Sequence, residues 1–280
     1  MQKLPFFFTA KEIISQGRTT QENLDNIKAW LSSLPPNNFL PGVQDEMIVI
    51  FLLSCDNDLD LTKNTITMYY KCKQEGPELY DNREMDREDI KKGMNTIQLS
   101  SIPVRTDENY AVHYFRLNDS HYRAFDLIPI MKISYMLLDI TQERNLPSGL
   151  VVVIDMKGVS LMHLTRIKVS AIRKYFQFLQ EGFPLQLKVI HFINAVYFFD
   201  KFMNIARAFM KNELVEMVKV HPPSTSQETL FSLVPKKCWP KEYGGDLPSY
   251  NDLHEITRKQ FEEKQKFWRR EQEIRHNLLE

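Results

Sequence analysis

The sequence predicts an α/β protein, with a small helical N-terminal lobe followed by a mostly parallel sheet flanked by helices. Three observations predict it. Leu24, Ile27, Trp30, Leu31 and Leu34 recur at the three/four spacing of one helix face. Leu150-Val151-Val152-Val153-Ile154 is a continuous, largely β-branched run, the mark of a strand buried on both faces. Between residues 110 and 234, strand-like runs alternate with helix-length stretches, as in parallel strands joined by right-handed crossovers.

The elements follow in order. A helix begins near residue 20 and is stopped by Pro35-Pro36. A second follows Pro41-Gly42, with Asp45 and Glu46 in its first turn, where the helix dipole favours anions. A third runs from about Leu59 to Lys73. Residues 74–109 are polar and turn-rich and read as short helices and connection. Within them the Asp81 to Lys92 charge run reads as a solvated face. Tyr110 to Leu117 alternates as a strand. Asp126 to Arg144 reads as a helix, with Pro129 in the first turn, where its missing N–H costs little. His163 to Glu181 reads as one helix, stopped by Gly182 and Pro184. Leu187 to Ile193 is a strand, Val196 to Lys211 a helix, Met217 to His221 a short strand and Ser226 to Val234 a short helix. Residues 252–278 read as one last helix packed on the body. The expected organisation is a helical lobe over 1–95, the α/β domain over 96–250 and a C-terminal helix over 251–280.

Composition excludes several chemistries. The chain has 280 residues with 36 Lys+Arg against 36 Asp+Glu, so no global charge draws it to nucleic acid, and no nucleic-acid partner is expected. It has nine glycines, where average usage would give roughly twenty. None of them opens a phosphate-cradling G-x-G-x-x-G or G-x-x-x-x-G-K-[ST], nor a G-x-S-x-G nucleophile elbow. Cys55, Cys72 and Cys238 form neither a disulfide framework nor a metal site. The seven histidines contain no H-E-x-x-H and no pair four residues apart. No catalytic residue, metal or cofactor is therefore expected. Lys3 and the short Phe6-Phe7-Phe8 patch do not make a signal peptide, and the longest apolar run is Met47 to Leu53. The expected setting is the reducing cytoplasm.

Residues 195–210 fit an ordinary core helix less well. Asp200, Lys201, Asn204 and Arg207 share one stripe, opposite Phe198, Phe199, Phe202, Met203, Ile205, Phe209 and Met210. Periodicity allows two readings: a helix covering the sheet, or one whose large adaptable side chains close a cavity over an apolar guest.

Three segments carry a resemblance. Gly149 to Ser160 (GLVVVIDMKGVS) resembles the G-hydrophobic-D-x-x-G-x-S segment of CRAL-TRIO lipid-binding domains. Phe183 to Asn194 (FPLQLKVIHFIN) is similar to their Y/F-P-L-x-h-x-x-I-H-x-I-N segment, and Trp239 to Gly245 (WPKEYGG) to their closing L-P-x-E-Y-G-G. The resemblance covers about residues 20–260, in motif order and spacing, and lies nearest the tocopherol-transfer and retinaldehyde-binding subgroup, particularly its insect members. It implies a helical lobe, an α/β lipid-binding lobe and a mobile gate helix, here residues 195–210, over an apolar pocket. It also implies that His191 is a structural strand residue and Asp155 a turn anchor.

Departures accompany it. The subgroup's Asn-x-Pro at the gate entrance reads Asn194-Ala195-Val196, and the Pro of K-P-F reads Ala208. Loss of both prolines predicts a more continuous helix. The lobe's F-L-R-A-R-K reads Phe51 to Asp56 (FLLSCD), without its cations. Four basic headgroup positions fall on Gln186, Lys188, Glu213 and Met217, so weak or absent phosphoinositide binding is expected, with Lys211 and Lys219 as partial substitutes for the missing cations.

The ligand-lining positions implied are Ile128, Met131, Tyr135, Leu150, Ile154, Ile167, Tyr175, Phe178, Leu179, Phe183, Leu185 and Ile190, with Phe198, Phe202 and Phe209 on the gate. Tyr135 and Tyr175 are the positions expected to hold a polar ligand group. The expected function is a carrier for one hydrophobic ligand (a retinoid, tocopherol-like isoprenoid or phospholipid) that visits membrane surfaces. The rivals are a lipid-sensing adaptor and a lipid hydrolase or isomerase.

Overall fold

The structure is a computed structural model describing residues 4, 6–35, 43–142 and 146–276. Lys3, Pro36, Pro41, Gly42, Arg144 and residues 277–278, which bear on readings above, lie outside the described residues. The N-terminal lobe comprises α1 (Ala10–Ser15), α2 (Gln21–Ser33), α3 (Asp45–Ser54), α4 (Leu59–Glu75), α5 (Pro77–Tyr80) and α6 (Glu88–Thr96). Side-chain caps set the starts. Thr20 Oγ1 accepts from the Asn23 amide at 3.1 Å and Asp58 Oδ1 from the Leu61 amide at 2.9 Å. The apolar run beginning at Met47 is the lobe's centre, with Met47 through Leu52 all buried in α3.

The sheet has five strands in the order β1 (Ile97–Ser101), β2 (Tyr110–Leu117), β3 (Gly149–Asp155), β4 (Leu187–Ile193), β5 (Val218–Val220). β1 runs antiparallel to β2, and all other neighbours are parallel. The residues read as connection over 74–109 thus include an edge strand. Its alternation is hidden because Gln98 and Ser100 are polar yet buried. Both face α12 (Tyr250–Glu263), where Gln98 donates to Asn251 and Ser100 meets Thr257 at 3.3 Å.

Helices cover both faces. α7 (Leu127–Thr141) and α8 (Val169–Gln177) lie on one side, with α9 (Phe199–Arg207) and α10 (Asn212–Glu216) near β4 and β5. α11 (Gln227–Leu233), the closing segment around Trp239 and the start of α12 pack on the other, against Val112, Tyr114, Val151 and Val153. The expected helix 163–181 is three pieces: a tight turn over Leu161–Arg166, α8, and a π-helical turn over Phe178–Gly182. Ile167 is extended between the first two, where β-branched Ile167 and Val169 weaken helix propagation. Gly182 ends the last piece because a Cβ there would come within 2.8 Å of the Tyr69 amide nitrogen of α4.

The helix expected over 195–210 is also shorter, α9 spanning only Phe199–Arg207. Asn194 sits at φ 50° with its Nδ2 on Asp155 Oδ1 at 2.8 Å, and Ala195 N donates to His221 O at 3.0 Å. At the far end Gln180 Nε2 takes the Phe209 carbonyl at 3.0 Å and Gln180 Oε1 the Lys211 amide at 2.5 Å. Tertiary hydrogen bonds therefore claim the backbone that helix extension would use.

The last helix is two. It breaks at Lys264 into α12 and α13 (Gln265–His276). The break lets α13 bury Trp268, Glu271 and Arg275 against α4, α7 and residues 81–83. Glu271 accepts from Lys73 Nζ at 2.9 Å, Arg83 Nη2 at 2.8 Å and Arg275 Nε at 2.9 Å. Asp81 accepts from Arg275 Nη2 at 2.6 Å. The solvated-face reading of the 81–92 run therefore fails at its start, where Asp81 and Arg83 are buried by these partners.

Candidate functional site

A cavity of about 310 Å³ lies between the sheet and the α7–α8 layer. Strand parity decides one wall. Leu150, Val152 and Ile154 of β3 and Ile190 and Phe192 of β4 point into it, while Val151 and Val153 face the opposite core. Val152 and Ile154 are only half-buried for that reason, although their neighbours in the run are buried. The run is thus packed tightly on one face and lines empty space on the other. The second wall is helical. Met131, Ser134, Tyr135 and Leu138 descend α7 at three/four spacing, and Ile172, Tyr175, Phe176 and Leu179 do the same along α8 and its π-turn. Phe183 follows the turn, and Phe202 reaches in from α9. Phe192 anchors α9 through Phe199, ring centroids 4.9 Å apart, and Phe202, 5.9 Å apart.

The expected lining residues divide. Met131, Tyr135, Leu150, Ile154, Tyr175, Leu179, Phe183, Ile190 and Phe202 border the cavity. Ile128, Ile167 and Phe209 instead pack partly buried against the helical lobe's core, and Phe178 and Leu185 lie within it. Phe178 is turned there by its place in the π-turn, its ring meeting Tyr69, Tyr80 and Tyr135 at 5.0–5.8 Å. Phe198 borders a separate groove at the carboxyl ends of the strands, beside Met156 and Tyr197. Sequence reasoning passed over Val152, Phe176 and Phe192. Period-two alternation from Ile154 and Ile190, and three-residue helical spacing back from Leu179, would have found them. Leu187 also lines the cavity, but a register shift between Leu150 and Val151 breaks the alternation that points to it.

Polar groups on the walls are few beside the aliphatic and aromatic ones. The Tyr135 hydroxyl is enclosed beside Tyr80, whose ring stacks on it at 4.7 Å, and neither hydroxyl makes a well-formed hydrogen bond. His113 Nε2 lies 2.7 Å from Thr141 Oγ1. Burial, and then the positive charge of Arg105, push the His113 imidazolium pKa down to about 3. The folded chain refuses a proton that the unfolded chain takes up near pH 6.5, so His113 withdraws stability as pH falls below that value. His113 ring resonances are expected to stay constant between pH 8 and pH 5 in nuclear magnetic resonance titrations. A titration step in that interval would contradict a neutral cavity wall.

The other singled-out residues have structural partners. Asp155 accepts from Asn194 Nδ2 and the Lys157 amide, each at 2.8 Å, and from the Tyr243 hydroxyl at 2.5 Å. His191 Nδ1 lies 3.0 Å from His221 Nε2, and burial, His221 and Lys219 push its pKa down to about 4. Lys188 donates to Gln186 and lies 5.5 Å from the Tyr110 ring centre. Lys211 pairs with Glu181 at 3.2 Å, and Lys219 is exposed on β5. Among the described residues no group of three or more His, Cys, Asp or Glu is placed to hold a metal, and no helix is long and apolar enough to cross a membrane.

Comparison with known proteins accords with this architecture. Among curated proteins, the chain is 24% identical over 217 residues to the mouse (Mus musculus) alpha-tocopherol transfer protein-like, covering 75% of this chain and 62% of that protein. It thus spans less than two thirds of that relative. It is 21% identical over 255 residues to clavesin-1 of Xenopus laevis, covering 86% of this chain and 74% of that protein. Among solved structures, the crystal structure of Sfh5 superposes with a TM-score of 0.54 at 12% identity, over 88% of this chain and 90% of that one, which shows a shared fold. Residues 16–90 match the Pinta-like UBA domain, and residues 96–245 match the CRAL/TRIO domain. The described cavity falls within the second match, and that match covers more than half of the chain: the protein belongs to the CRAL/TRIO family.

Proposed function

We propose that the protein is a non-catalytic carrier that holds one small hydrophobic molecule in the cavity and delivers it to membranes or partners. Members of the family bind and transfer hydrophobic ligands, and this reading builds on that. The observation that carries it is the cavity itself: about 310 Å³, walled mainly by aliphatic and aromatic side chains, with the gate residue Phe202 on its border. Ligand pockets run from about 300 to 1,000 Å³, so this one stands at the small end. Its size favours a retinoid or a tocopherol-like isoprenoid over a two-chain phospholipid. Burying about 500 Å² of apolar ligand surface at ~25 cal/mol per Å² supplies roughly 12 kcal/mol gross. Association and ordering costs bring that to about micromolar to nanomolar affinity.

Release calls for α9 to move, and a membrane surface would keep its apolar face out of water. Tyr197, 90% exposed at the foot of α9, and the exposed Leu161, which lines the same groove, support such a docking face. A peripheral cytoplasmic protein that meets phosphoinositides weakly, if at all, at Lys188, Lys211 and Lys219 fits this arrangement. The test is organic extraction of the purified protein followed by mass spectrometry. One apolar species at near-equimolar amount is expected. Purified protein that carries none, and that takes up neither a retinoid nor a tocopherol, would overturn the reading.

A further inference from the structure

On the opposite edge of the sheet from Lys188 and Lys219, a second cavity of about 430 Å³ opens beside β1. Its wall differs in kind from that of the apolar cavity. Ser101 ends β1, Arg105 follows in the β1–β2 connection, Thr141 closes α7, and Gln260, Glu263 and Lys264 close α12. Arg105 is partly buried and makes no ion pair or hydrogen bond among the described residues. Burial lowers its pKa. A guanidinium left so is unusual, because buried charges are normally paired. Lys264 adds a second cation. It is buried, its Nζ donating to the Asp139 carbonyl at 3.3 Å. Ser101 Oγ lies 2.9 Å from Thr141 Oγ1, whose single proton the Leu137 carbonyl takes at 2.7 Å. Among the described residues that line it, the acidic one, Glu263, is exposed.

We infer that this cavity is an anion site that takes a phosphate group, with the Arg105 guanidinium as its principal ligand and Ser101 as a hydroxyl donor. A phosphate offers several acceptor oxygens to a forked donor, a hydroxyl and a neighbouring ammonium. The cavity holds the volume of about fourteen waters at ~30 Å³ each, more than a phosphate alone occupies. The phosphate is therefore borne by a larger organic group, either a soluble ester or a lipid head. The inference does not depend on the carrier reading, because it concerns a different cavity and a different chemistry.

The experiment measures binding by calorimetry at low ionic strength, with the full chain. Inorganic phosphate, glycerol phosphate and phosphatidylcholine vesicles with and without phosphatidic acid are the probes. Glycerol phosphate is expected to bind wild type more tightly than inorganic phosphate does if the occupant is a soluble ester. Binding confined to phosphatidic acid vesicles assigns a lipid head instead. In either case Arg105→Gln is expected to weaken binding at least about tenfold, the loss of charge-assisted hydrogen bonds. Arg105→Lys is expected to restore part of it, and Ser101→Ala, a milder change to the fold, to weaken it a few-fold. Lys63→Gln, on α4 and outside this cavity's lining, is expected to leave it unchanged. No binding of any probe to wild type, or equal binding by folded Arg105→Gln, would overturn the inference.

Discussion

Phe202→Asp protein is expected to emerge from purification folded but stripped of its apolar ligand, with occupancy at least about tenfold below wild type. Phe202 is the α9 side chain that borders the cavity, and it is only half-buried, so the fold depends on it less than on its buried neighbours. Phe199 and Met203, both buried, keep α9 on the sheet. A carboxylate at 202 must either stay hydrated, holding the gate open, or lose its water beside an apolar guest. Either course costs several kcal/mol of ligand affinity. Quantitative extraction of wild-type and variant protein, with circular dichroism as the fold control, checks it. Full occupancy in a folded variant would show that α9 does not close this cavity.

The second large effect concerns stability. Glu271→Ala is expected to destabilise the chain by about 3–5 kcal/mol, since it leaves buried cations without their shared carboxylate. The side chains of Lys73, Arg83 and Glu271 are 4%, 1% and 9% exposed. Burial alone would raise the Glu271 pKa, but Lys73, Arg275 and Arg83 outweigh it and hold the carboxyl far below its usual range. The sign follows. This stabilisation is complete above the unfolded value of about 4.3 and is lost as pH falls from there toward the lower folded value. Urea unfolding at neutral pH measures the loss. The double variant Lys73→Met/Glu271→Met should lose less than Glu271→Ala, because it removes opposite charges together. Arg83 then keeps Asp139 at 2.9 Å and Arg275 keeps Asp81. Equal stability of wild type and Glu271→Ala would show the cluster to be solvated rather than buried.

This cluster also shows where reading a sequence stops. Asp81 and Arg83 belong to a run of charges that looks solvated, and their partners stand some 190 positions away in sequence. No local pattern distinguishes a charge with a distant buried partner from one in water. The same holds for β1, whose Gln98 and Ser100 are buried only because α12 returns to cover them. The two helix breaks, at Ile167 and at Lys264, divide the long helices that periodicity suggests. Conversely, β2, β4 and the starts of α2, α3 and α4 were legible. Their signals are local: period-two alternation, short caps and acidic first turns.

The cavity divides in the same way. Apolar character at positions such as Tyr135, Leu150, Ile190 and Phe202 is visible in the sequence, and the three motifs carried the family resemblance. Whether an apolar side chain touches a neighbour or empty space is not visible. Phe178 and Leu179 are adjacent and both apolar, yet the first lies in the helical lobe's core and the second borders the cavity. The difference is the direction of each side chain as it leaves the π-turn. By itself the sequence determined the fold class, most of the strands and the motifs that mark the family, because these rest on backbone preference and on patterns a few residues long. The tertiary structure alone decided which side chains border a cavity, which charges are buried in pairs and which, like Arg105, have no partner among the described residues. Those properties depend on what packs against each residue from distant parts of the chain.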